Sequence, residues 1–126
     1  MFGFLKKKID YKVDWPDCIH RTMEVTDPIY DKCTKYIKDI RTEISQEFWE
    51  ESYKTVNVCI AECETELDRI KSKLKYDKIA KNKEAVYIDK EQIKMLEEHI
   101  DFLKKTILDT VVTTGKFWRG NKRNDY

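Results

Sequence analysis

Glycine and proline are scarce in this chain. Its 126 residues include three glycines and two prolines, and no glycine lies between Gly3 and Gly115. Sheet proteins and loop-rich enzymes need these residues in their turns, so the scarcity argues against both classes. Abundant lysine, glutamate, isoleucine and leucine instead predict long helices. A chain of this length has room for one domain, which we expect to span residues 1–126.

Long apolar runs are also lacking. No stretch approaches the roughly 18–20 apolar residues that a membrane span needs, and the opening MFGFLKKKID has the wrong order for a secretory signal. Four cysteines are too few for a disulfide scaffold, so we expect a protein of a reducing compartment, the cytoplasm. Lysine outnumbers arginine 20 to 5, a bias typical of AT-rich genomes such as those of low-GC bacteria and their phages.

The first helical stretch begins after a clear start signal. In Thr26-Asp27-Pro28 a capping side chain precedes a proline that suits the first helical turn. From Trp49 to Leu74 the apolar residues follow alternating steps of four and three, which is a heptad pattern. A one-residue phase shift at Phe48/Trp49 is compatible with a slight kink. We therefore predict one long helix over about residues 28–82.

A second amphipathic stretch predicts a partner for this helix. Asp89 and Gly115 have the positions of an N-terminal and a C-terminal cap, so we expect a helix over about residues 89–113. The stretch 43–66 carries a charge of −6, the stretch 69–83 carries +6, and the start of the second helix is acidic. Antiparallel helices would place that acidic start beside the basic stretch 69–83. This order favours antiparallel pairing.

The predicted fold is therefore all-α. We expect an elongated, antiparallel, coiled-coil-like helical hairpin over residues 27–113. A less regular N-terminal segment (1–26) precedes it, and a basic tail (114–126) follows it.

The two predicted helices differ in length, and this difference predicts a binding surface. At about 1.5 Å per residue the first is roughly 82 Å long and the second roughly 37 Å, so half of the first lacks a partner. An apolar stripe left in water is rarely stable on a monomer. We predict that another protein, or a second copy in a homodimer, covers Ile37, Ile40, Ile44, Phe48 and Trp49. The alternative is cover by residues 1–26.

The C-terminal tail combines aromatic and cationic side chains, namely Phe117, Trp118, Arg119, Lys122 and Arg123. Single-strand nucleic-acid binders use this mixture, with aromatic rings under the bases and cations at the phosphates. The alternative, which we favour, is that the tail docks on the acidic stretch 43–66 of its own chain.

Metal and catalytic patterns are incomplete. Cys59 and Cys63 lie one helical turn apart and Cys18-x-His20 offers two further ligands, but this spacing is not that of structural zinc sites. His99, the only histidine in the predicted helices, lacks the glutamate three residues before it that a di-iron bundle needs. We expect no metal, no cofactor and no catalysis.

The leading functional hypothesis is a non-catalytic helical interaction protein, such as an adaptor, structural component or inhibitor. The alternative is a nucleic-acid-binding accessory protein that uses the basic tail. A third, weaker hypothesis is a small-molecule binder or enzyme with a pocket between its helices.

Overall fold

A computed structural model describes residues 11–39 and 43–123, with side chains as far as Arg119. Within these ranges there is no strand, and the expectation of an all-α protein is confirmed. The helices, in chain order, are α1 (Asp17–Lys38), α2 (Gln46–Ile79), α3 (Lys83–Phe102) and α4 (Asp109–Arg123). A π-helical segment, Leu103–Leu108, joins α3 to α4. The backbone stays in the right-handed helical region at both ends of the π-helical segment, so α3, this segment and α4 form one continuous rod. Together with α1 and α2 it makes three helical rods.

The single long helix predicted over residues 28–82 is wrong. The chain leaves the helix at Asp39, where φ is −137° and ψ is 99°, and α2 begins at Gln46. The Ser45 hydroxyl caps the new helix by accepting the N–H of Phe48 at 3.0 Å. The phase shift of the apolar pattern at Phe48/Trp49 therefore lies in the first turn of a new helix, and it does not mark a kink within a single long helix.

The predicted helix start at residues 26–28 is also wrong. α1 begins at Asp17, and Pro28 lies inside it on the exposed side. Thr26 does not act as a cap, because its buried hydroxyl donates to the carbonyl of Thr22 at 2.8 Å. The buried face of α1 includes two threonines and two cysteines: Cys18, Ile19, Thr22, Thr26, Ile29, Cys33 and Tyr36. A search for large apolar residues misses such a face.

The second helical rod is longer than the predicted 89–113. α3 begins at residue 83 because the Asn82 side chain accepts the N–H of Ala85 at 3.1 Å. Asp89, the predicted cap, is inside α3 and buried. Gly115, the predicted end, is inside α4, and residues 114–123 of the predicted irregular tail are helical.

The three rods pack side by side, up, down and up. Ion pairs and ring contacts fix these directions: Arg21 with Glu62 and Lys32 with Phe48 join α1 to α2, and Lys71 with Glu97 and Lys104 with Glu64 join the second and third rods. In every case the residue numbers run in opposite directions. α1 is therefore antiparallel to α2, and α2 is antiparallel to the rod formed by α3 and α4.

The π-helical segment follows from the spacing of the core residues. Leu103, Ile107 and Val111 are each at most 1% exposed, and they lie two consecutive steps of four apart. Four-residue steps exceed the 3.6 residues of an α-helical turn, so the stripe drifts off the core face unless one wider turn absorbs the extra residue.

The α2–α3 pair extends beyond the start of α1. Arg21, near the start of α1, pairs with Glu62, and α2 continues to Ile79. After the four residues of α1 that precede Arg21 are allowed for, α2 extends about 20 Å further at 1.5 Å per residue. In this region the non-helical residues 11–16 contact α3, since the Gln92 side chain donates to the carbonyl of Asp14 at 3.1 Å. We call residues 75–90 the hairpin tip.

Candidate interaction surfaces

The stripe predicted to bind a partner is largely covered within the chain. Ile44 is 6% exposed, and Ile37, Phe48 and Trp49 are half-buried. Ile40 lies outside the described residues. Lys32 of α1 places its ammonium 4.2 Å from the centre of the Phe48 ring. The length difference that motivated the prediction is absent, since α1 folds back and the third rod reaches residue 123.

Trp49 is held by α4. Its indole N–H donates to the carbonyl of Val111 at 2.8 Å, and its ring stacks on Tyr53 with centroids 5.5 Å apart. A β-carbon on Gly115 would lie 2.6 Å from the indole, closer than such atoms approach one another. Because Gly115 has no side chain, the indole can fill this space. The sequence-based prediction of Gly115 as a helix cap missed this role.

Three of the five tail residues proposed for nucleic-acid binding have described side chains, and these differ in exposure. Phe117 and Arg119 are exposed and Trp118 is half-buried, while the side chains of Lys122 and Arg123 lie outside the described residues. The guanidinium of Arg119 lies 5.1 Å from the centre of the Trp49 ring, a cation–π distance. The tail thus makes a contact with the stretch 43–66 of its own chain.

A buried polar cluster joins all three rods. The Thr22 hydroxyl donates to the carbonyl of Cys18 at 2.7 Å, so its oxygen accepts the Nε2–H of His99 at 2.8 Å. The Thr22 oxygen also lies 3.8 Å from the Cys63 sulfur. Burial lowers the pKa of His99, and burial together with Cys63 raises the pKa of Cys18 to about 12. His99 and Cys18 are therefore neutral near pH 7, and the cluster stabilises the packing of α1.

The candidate zinc ligands separate into two environments. Cys18, Cys59 and Cys63 are buried, whereas His20 is exposed. Among the described residues there is no group of three or more cysteine, histidine or acidic side chains arranged to hold a metal ion.

Asp89 forms a second buried polar site, at the base of the hairpin tip. It is 1% exposed, and the Lys73 ammonium lies 3.0 Å from its carboxylate and 2.8 Å from that of Asp77. Burial and the neighbouring Asp77 carboxyl group raise the pKa of Asp89. The neighbouring Asp89 and the Lys73 ammonium lower the pKa of Asp77. Lys73 therefore neutralises acidic groups of its own chain and is engaged in the fold.

Large apolar side chains remain exposed on α1. Met23 is 42% and Tyr30 37% exposed, and Ile37 beside them is half-buried. Residues seven apart share a helix face because two turns take 7.2 residues. We call Met23, Tyr30 and Ile37 the outer α1 stripe. Its sevenfold spacing is present in the sequence, but it is hidden there by the assumption of a helix starting at residue 28.

The hairpin tip carries a cavity and two more exposed apolar groups. The cavity has a volume of about 490 Å³ and is lined by Lys78, Lys81, Lys83, Val86, Tyr87 and Lys90. Tyr76 and Ile79, in the last turns of α2, are 74% and 78% exposed.

Comparisons with known proteins yield no match, whether with family models, curated proteins or solved structures. Within the described residues, every helix is too short or too polar to cross a membrane.

Proposed function

We propose that this chain is a non-catalytic helical interaction protein, an adaptor, structural component or inhibitor, that acts through protein–protein contacts. The observation that carries the proposal is the outer α1 stripe. Three apolar side chains with heptad spacing lie along one flank of a helix, and two of them are more than one third exposed. Helices in water bury such stripes against other helices.

The occupant that we propose is a second copy of the chain. In an antiparallel pair centred near Tyr30, Met23 of one copy lies beside Ile37 of the other. The same patch then serves both copies, as a twofold interface requires. Tyrosine and methionine are also enriched at protein interfaces relative to other surfaces.

The charges on α1 favour this pairing. The exposed residues Glu24 and Asp27 lie in its first half, and the exposed residues Lys35 and Lys38 lie at its end. An antiparallel pair places the acidic half of each copy beside the basic half of the other. The 3.3 Å pair of Lys35 with Asp31 joins two side chains that are about 70% exposed, and such pairs contribute little stability, so Lys35 is available to a new partner.

Of the residues first predicted from the sequence to bind a partner, we still propose Ile37 as a contact, because it belongs to the outer α1 stripe. The burial of Ile44 and the internal partners of Phe48 and Trp49 support core roles for these three residues. The Arg119–Trp49 contact likewise supports docking of the tail on its own chain in preference to nucleic-acid binding by the tail.

Sedimentation equilibrium of Tyr30→Glu and Met23→Glu beside the wild type tests the proposal. We expect a wild-type dimer, and at least a tenfold weaker dimer in each variant, because a charge enters the apolar seam. Val58→Glu is the matched control, since Val58 is an apolar residue that is 59% exposed and lies on α2, outside the outer α1 stripe. A monomeric wild type, or equal weakening by Val58→Glu, contradicts the proposal.

A further inference from the structure

The cavity of the hairpin tip has the size and the lining of a ligand site. Its volume of about 490 Å³ is within the roughly 300–1,000 Å³ typical of ligand pockets. Four of the six lining residues are lysines, supplied by the end of α2, the connection and α3. The other two, Val86 and Tyr87, provide an apolar surface among these ammonium groups. A ligand that fits both features is anionic and carries a flat apolar part.

The backbone of Lys81, one of the cavity-lining residues, is a second observation at this site. Its φ is 57°, the left-handed region, and it is the only non-glycine residue with positive φ in the described part of the chain. It ends α2 in the position that glycine usually occupies, where the N–H of Asn82 donates to the carbonyl of Asp77 at 3.1 Å. A side chain there costs on the order of 1 kcal/mol. A strained backbone that carries a cavity-lining cation is typical of a functional site.

Aromatic rings accompany these cations. The ring centroids of Tyr87 and Tyr11 lie 5.3 Å apart, with an angle of 57° between the ring planes, so Tyr11 packs against the Tyr87 ring. Tyr87 is nevertheless 39% exposed. Tyr76 is 74% exposed on the neighbouring helix. Exposed rings next to cations provide stacking platforms for nucleobases, each stack contributing about 1–3 kcal/mol.

We propose that the hairpin tip binds single-stranded nucleic acid. Its phosphates lie against Lys78, Lys81, Lys83 and Lys90, and a base stacks on Tyr87. The hairpin tip, residues 75–90, carries five lysines against Asp77, Glu84 and Asp89, a net charge of +2, so the tip attracts a polyanion. This surface is separate from the outer α1 stripe, and the inference does not depend on self-association.

The chemistry of the lining favours phosphates over the carboxylates of an acidic protein. All four cations are ammonium groups, which bind phosphate as point charges. Ammonium groups also bind carboxylates, so the ring of Tyr87 makes the distinction: a nucleobase stacks on an exposed tyrosine ring, and a carboxylate side chain does not. The cavity is open to solvent, so a separate base can reach the Tyr87 ring.

Fluorescence anisotropy with a labelled oligothymidylate of about 15 nucleotides, near the upper site size of single-strand binders, tests the proposal. Lys81→Gly is the most informative variant because it removes the cation and relieves the backbone strain. We expect it to melt at the same or a higher temperature than the wild type while binding more weakly. The double variant Lys81→Glu/Lys83→Glu should weaken binding at least tenfold. It should also flatten the dependence of log affinity on log salt by about 0.7 for each phosphate that the variant no longer neutralises.

The matched control is Lys54→Glu/Lys105→Glu, which changes the net charge equally at exposed positions outside the tip and outside the outer α1 stripe. Tyr87→Ala, checked for an unchanged helical spectrum, should weaken binding without changing the salt slope. Several results overturn the proposal: no binding of the oligonucleotide, equal weakening by the control, or stronger binding of polyglutamate or of anionic vesicles than of the oligonucleotide. The last two outcomes assign the tip to an acidic protein or to a lipid surface.

Discussion

Gly115 shows how one residue allows the bundle to close. Inside an exposed helix glycine is less stable than alanine by roughly 1 kcal/mol, so its replacement usually stabilises a protein. Here the space beside its α-carbon is filled by the indole of Trp49, 2.6 Å from where a β-carbon would lie.

We therefore predict that Gly115→Ala lowers the free energy of unfolding by about 1–3 kcal/mol, the usual cost of overpacking. Urea denaturation followed by circular dichroism measures it. Lys116→Ala, an exposed neighbour in the same helix, is the control and should change stability by less than about 0.5 kcal/mol. A more stable Gly115→Ala protein contradicts the placement of Trp49 against α4.

His99 makes stability depend on pH. Burial lowers its pKa, so the unfolded chain binds the proton first as the pH falls below the ordinary value of about 6.5. We expect the stability that neutral His99 contributes to be full above that value and to be lost as the pH falls through the lowered pKa. Thermal melts of wild type and His99→Gln between about pH 8 and pH 5 measure this effect. A constant difference between the two proteins across this range contradicts it.

At the scale of the elements, the sequence predicts helix well and helix boundaries less well. The heptad from Trp49 onward lies in α2, where Val56, Ile60, Cys63 and Ile70 are all buried. The start of α1 is not predictable from large apolar residues, since Thr22 and Thr26 take core positions by donating their hydroxyls to the preceding turn. The end of α1 at Lys38 depends on its packing against α2, whereas the start of α2 at Gln46 has a local signal, the capping residue Ser45, which the search for apolar spacing passed over.

The element with the most regular core face is the third rod, and Leu103 lies at its centre. Leu103 is 0% exposed, so Leu103→Ala should cost about 2–5 kcal/mol. Leu67, at a predicted heptad position, is half-buried, and we expect a smaller cost for Leu67→Ala. Urea unfolding of both variants measures these costs. An equal or larger loss in Leu67→Ala contradicts this packing order.

At the scale of the whole molecule, charge order predicts part of the arrangement. Lys71 pairs with Glu97 at 3.8 Å and Lys73 with Asp89 at 3.0 Å, as antiparallel pairing of the basic stretch 69–83 with an acidic α3 requires. Lysines further toward the tip instead line the cavity. The net charge of a stretch does not show which lysines form ion pairs within the chain and which line the cavity. The cavity depends on the meeting of two helix ends and on the conformation of Lys81, both of which are tertiary features.

The return of α1 along α2 covers Phe48 and leaves the outer α1 stripe exposed, so it is the central claim about this fold. Spin labels at positions 21 and 62, measured by pulsed dipolar spectroscopy in dilute protein, test it directly. Arg21 and Glu62 form an ion pair between α1 and α2, so we predict a distance at the short limit of the method. If residues 21–62 instead form one straight helix, the 41 intervening steps separate the labels by about 60 Å, and that result contradicts the return of α1.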